Sequence, residues 1–103
     1  MDINALRAEL ETRLNIEKEY IIQELPLIHD YQDKLELLGK FNGKYKGLIK
    51  RIADEEGIDL NAPHQNESDP GSENLSNEQI IFGITMNIYD KMADDLYEKI
   101  THQ

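Results

Sequence analysis

The sequence predicts an all-α fold: three long helices in an up-down-up bundle or coiled-coil hairpin, with a disordered linker before the last helix. Three observations predict it. Apolar side chains recur at helical intervals on both sides of one long interruption. That interruption, NAPHQNESDPGSENLS at residues 61–76, holds two prolines, a glycine and many small polar residues, with no apolar periodicity. Helix start and stop residues fall where the periodic stretches begin and end. The chain has 103 residues, enough for one domain with a modest core. It divides into a helical hairpin at 1–57, a flexible acidic and polar linker at 58–76 and an amphipathic helix at 77–103.

The first helix is expected from about Ile3 to Glu24, with Asp2 as its N-cap. Ile3, Leu6, Leu10, Leu14, Ile21 and Leu25 fall on one stripe, which Glu17 interrupts. A fully buried glutamate would need a partner. The simpler reading packs the Glu17 stem at the helix edge and leaves its carboxylate wet. Pro26 ends this helix and is able to open the next, because proline fits a first helical turn and pushes Leu25 toward an extended conformation.

The second helix carries a heptad: Ile28, Tyr31, Leu35, Leu38, Asn42, Tyr45, Ile49 and Ile52. Gly57 supplies its stop. Unbroken, it would run for about 30 residues and roughly 45 Å. Its middle, GKFNGKYKG at 39–47, repeats glycine at every fourth position. A phosphate-binding loop would need four residues between its glycines, a Ser or Thr after the lysine and a preceding strand; none of these is present. The glycines instead fall on the side of the helix opposite the heptad. Three glycines inside a helix cost roughly 3 kcal/mol against alanine. Asn42-Gly43 is a turn-forming pair, yet the heptad passes through it without a slip. The reading is therefore a continuous or mildly kinked helix with a bare outer strip, a break near 39–43 being the competitor.

The last helix opens on a capping box, Ser76 with Gln79. Ile81, Ile84, Ile88, Met92 and Leu96 form its stripe, widened by Phe82, Tyr89 and Ile100. Met86 and Tyr97 lie toward the far side, where a second apolar contact or an oligomer partner would sit.

Charge narrows the function. The net charge is −10, which disfavours nucleic acid and anionic membranes as partners. Residues 31–57 hold six bases against five acids, whereas 58–103 hold nine acids against two bases. Lys40, Lys44 and Arg51 fall within about 40° of one another on an ideal helix, with Lys46 and Lys50 nearby and Phe41 and Tyr45 interleaved. Such a strip would contact phosphates or an acidic protein surface; the plainer reading is a solvated face complementing the chain's own acidic helices. Asp90, Asp94 and Glu98 form an acidic row, with Asp95 beside it.

No catalytic, cofactor-binding or metal-binding residue is expected. With no cysteine, thiolate chemistry and disulfides are excluded. Asp30, Asp33 and Glu36, or Asp95 and Glu98, are the nearest carboxylate pairings. His29 and Asp33 lack a third ligand, and the serines cluster around the linker. The opening MDINALRAEL has neither a basic nor an apolar leader region, and no apolar run matches a membrane span, so the expected location is cytoplasmic.

What remains is a small acidic, non-enzymatic interaction module, an inhibitor-, immunity- or antitoxin-like partner of a basic protein, compared with those classes by charge and size alone. The acidic linker, with Asp90, Asp94, Asp95 and Glu98, would be its contact surface, and a homo-oligomer is also expected. The first alternative is a self-assembling coiled-coil adaptor or structural protein that uses the heptad and presents the basic strip. The second is nucleic-acid binding through Lys40, Lys44, Lys46, Lys50 and Arg51.

Overall fold

Leucine and isoleucine spacing carries the first helix, α1, Ile3–Glu24. Leu6, Leu10, Leu14 and Ile21 are buried on one side of it. The computed structural model describes residues 3–63 and 75–102; the expected Asp2 cap lies outside them. Leu25, Pro26 and Leu27 form one tight helical turn that buries Leu25 against the core.

The second helix, α2, is Tyr31–Glu56. It starts later than Pro26 suggested: Ile28 is extended, and Asp30 is the cap, its carboxylate accepting the Gln32 N–H at 2.8 Å. The helix is continuous through 39–47 and ends at Gly57, whose φ of 70° is the left-handed conformation that glycine adopts freely. The third helix, α3, is Asn77–Thr101, and the Ser76–Gln79 capping box is formed in both directions.

The three helices pack against one another around a single core. Arg7 reaches the Ile84 carbonyl and Lys18 reaches Asp95, so α1 and α3 run parallel. Asn42 meets Tyr89 and Tyr45 meets Thr85, so α2 runs against them. This is the up-down-up bundle.

The heptad of α2 needs correction. Ile28 precedes the helix, and Tyr31 is 47% exposed. The buried line is Leu37, Phe41, Tyr45, Ile49, Ile52 and Ala53. A 3.5-residue repeat drifts by about 20° per heptad on a straight helix. Moreover, α2 has two neighbours rather than one coiled-coil partner. Its apolar face therefore broadens to roughly 160° on an ideal helix. Phe41, read among the lysines, is fully buried.

The two ends of the α2–α3 connection are tied together. Ile58 donates to the Ala53 carbonyl, Asn77 to Ala62 and Glu78 to Leu60, and Pro63 pairs with Ser76 in an isolated bridge. Ile58 and Leu60 pack against the core. Residues 64–74 of the expected linker lie outside the described residues.

Candidate functional site

Two outward surfaces stand out, and the helix packing determines both. The first is the outer side of α2. Burying Phe41, Tyr45 and Ile49 inward forces residues 40, 43, 44, 47 and 51 outward. A methyl group built on Gly39, Gly43 or Gly47 would meet nothing within 4 Å. No packing among the described residues therefore requires glycine at these positions. With α1 the strip borders a shallow groove of about 520 Å³, lined by Glu17, Lys40, Gly43, Lys44, Gly47, Leu48 and Arg51.

The groove is basic. Lys40 and Arg51 are exposed and make no ion pair among the described residues. Lys44 Nζ stands 4.0 Å from the Glu17 carboxylate, at the limit of a salt bridge. Glu17 itself is only partly buried, a helix-edge residue with a wet head. The five bases read as one strip are divided. Lys46 and Lys50 border a separate hollow with Ile49, Glu78 and Phe82 on the α3 side. Phe41 and Tyr45 point into the core and are not part of the basic surface.

Tyr45 is the centre of a buried polar contact that the sequence did not reveal. Its hydroxyl lies 2.7 Å from Thr85 Oγ1, and Thr85 donates to the Ile81 carbonyl at 2.7 Å. With the Thr85 proton so used, Tyr45 must donate and Thr85 accept. Burial pushes the Tyr45 phenol up from its ordinary value. Tyr89 stacks on Tyr45 at 4.6 Å and accepts from Asn42 Nδ2 at 3.0 Å. Asn42, expected at a coiled-coil seam, thus serves the α2–α3 contact. Thr85 at the middle of an apolar stripe was the one available signal.

The second surface is the outer side of α3. Asp90, Asp94 and Glu98 are exposed there and make no ion pair among the described residues. Asp95 is different. Lys18 donates to it at 2.9 Å, and that hydrogen bond holds its carboxyl below the usual carboxylate range. Met86 and Tyr97 lie on the acidic side, 50% and 49% exposed.

Among the described residues, no group of three or more His, Asp or Glu side chains is placed to hold a metal ion. Asp30, one of the carboxylates weighed for such a role, caps α2. No helix among those residues is long and apolar enough to cross a membrane. Comparison with protein-family models, with curated proteins and with solved structures finds no match for this chain.

Proposed function

We propose that this chain is a non-enzymatic interaction module that binds a basic protein through the outer face of α3. One observation carries the reading: on that face two half-exposed anchors, Met86 and Tyr97, stand beside three carboxylates, Asp90, Asp94 and Glu98, that make no ion pair among the described residues. Carboxylates steer a cationic partner and set its register. Large apolar and aromatic side chains supply the energy once water is excluded. Asp95 is engaged by Lys18 and contributes field rather than contact.

Two features weigh against the other readings. The apolar face of α2 packs against α1 and α3 of its own chain, which weighs against a coiled-coil adaptor built on the heptad. Phe41 and Tyr45 are buried, so the basic strip offers neither of them for stacking on bases.

The test uses a cationic amphipathic helical peptide of lysine and leucine, titrated into isotopically labelled protein. Chemical-shift changes should concentrate on Met86, Asp90, Asp94, Tyr97 and Glu98. The Met86→Ala/Tyr97→Ala variant should bind about tenfold more weakly or worse, the range expected for interface anchors. Shifts spread evenly over every acidic surface, or binding untouched by that variant, would overturn the proposal.

A further inference from the structure

The basic groove on α2 has no role in the binding proposed above, and no packing among the described residues calls for its glycines. The helix is continuous, all three of these glycines lack positive φ, and each would accept a methyl group into open space. Glycine at such sites weakens a helix. It also lets another backbone approach closely. The rim carries Lys40, Lys44 and Arg51 against one carboxylate, Glu17, which stands 4.0 Å from Lys44, and the half-buried Leu48 adds an apolar side chain. These features describe a face shaped for a helix that presents acids together with apolar side chains.

The chain itself carries such a helix. Met86, Asp90, Asp94, Tyr97 and Glu98 line the outer face of α3. The stretch from Met86 to Tyr97 and the stretch from Lys40 to Arg51 each cover about three helical turns, roughly 17 Å. Signs, lengths and apolar content match. We infer that the α2 groove of one copy docks the outer face of α3 from a second copy. The inference rests on the same accessible α3 face as the proposed function, but not on the existence of a basic partner.

The groove and the row sit on different helices and point in different outward directions. The contact is therefore heterologous: each copy offers its groove to one neighbour and its acidic row to another. The overall negative charge of two copies opposes association at long range. At physiological salt that repulsion fades beyond about 8 Å, while the docked cations and carboxylates sit closer than that. Association would cover the face that a basic partner needs, so self-docking and partner binding compete.

The test is molar mass by sedimentation velocity on the full chain, from micromolar to millimolar concentration. The wild type should grow in mass with concentration, passing beyond a dimer, and return to the single-chain mass in half-molar salt. A groove variant, Lys40→Gln/Lys44→Gln/Arg51→Gln, should stay at the single-chain mass, and so should a row variant, Asp90→Asn/Asp94→Asn/Glu98→Gln. Mixed in equal amounts, the two should form a pair and stop there, since each keeps one of the two faces; this also shows that both are folded. A wild type at single-chain mass throughout, a groove variant that associates like the wild type, or a mixture that fails to pair would each overturn the inference. The groove variant should still bind the cationic peptide. Loss of mass growth with retained peptide binding separates failure of this contact from failure of the proposed function.

Discussion

The two interfaces of α2 are built differently. Toward α3 it presents aromatic rings and directed polar contacts: Phe41 and Tyr45 stack on Tyr89, Tyr45 meets Phe82 edge-on, and Tyr45 bonds to Thr85. Toward α1 the core is aliphatic, with Leu6, Leu10 and Leu14 buried. The directed links on that side are exposed ion pairs, Arg13 with Glu55 and Lys44 with Glu17. Aliphatic burial is strong but tolerates sliding, because it depends on area and not on direction. Ring stacking and a buried hydroxyl pair accept only one register. The α2–α3 pair thus fixes alignment, and α1 adds bulk hydrophobic stabilisation.

The sharpest way to break this contrast is to remove the most deeply buried ring of the cluster, Phe41, which stacks on Tyr89. Phe41→Ala should destabilise the chain by about 3–5 kcal/mol, read from denaturant unfolding. Next in size, Thr85→Val leaves the Tyr45 hydroxyl buried without its partner and should cost about 1–3 kcal/mol. In a Tyr45→Phe background the same substitution should cost far less, because the orphaned group is then gone. If the two effects simply add, the hydroxyl pair does not set the register.

Substitution on the outer side of α2 should act in the opposite direction. Gly43→Ala and Gly47→Ala should each raise stability by about 1 kcal/mol, since open space receives both methyl groups. The smallest effect belongs to the α1 side. Arg13→Ala removes an exposed pair with Glu55 and one with Glu9, and should move the denaturant midpoint least of all, because exposed pairs gain little over solvation by water.

The pH response sharpens the comparison further. Tyr45 has a raised folded pKa because it is buried. The unfolded chain then releases that proton first, so stability is full below the ordinary tyrosine range and falls as pH rises through the folded pKa. Tyr45→Phe should flatten the alkaline limb of the stability curve measured by thermal melts. Asp95, lowered by the Lys18 hydrogen bond, acts at the other end: its contribution is present above the ordinary carboxylate range and is lost as pH falls through the depressed value.

Elements set by local chemistry were legible in the sequence. The α1 stripe, the Ser76–Gln79 box and the Gly57 stop each depend on residues within a turn or two of one another. The start of α2 lies later than the sequence predicts because Pro26 is a stronger signal than Asp30, although Asp30 preceding a periodic stretch is itself a cap pattern. The buried line of α2 departs from the predicted heptad because periodicity reveals a direction, whereas the number of neighbours sets how wide the apolar face becomes. Leu37 and Phe41 belong to that extra width. For the surfaces, the outward placement of Asp90, Asp94 and Glu98 followed from helix geometry. The capture of Asp95 by Lys18, and the separation of Lys46 and Lys50 from Lys40, Lys44 and Arg51, depend on how the helices are aligned. No single helix encodes that alignment.

The backbone hydrogen bonds from Asn77 to Ala62 and from Glu78 to Leu60, with the Pro63–Ser76 bridge, clamp the chain at the point where it leaves α2 and enters α3. With the entry and exit points already side by side, extra residues inserted between them strain neither helix. Doubling the length of such a closed segment costs only about 0.6 kcal/mol. The site is therefore a natural port where an epitope, a tether or a second folded unit can be grafted while the bundle below keeps its alignment.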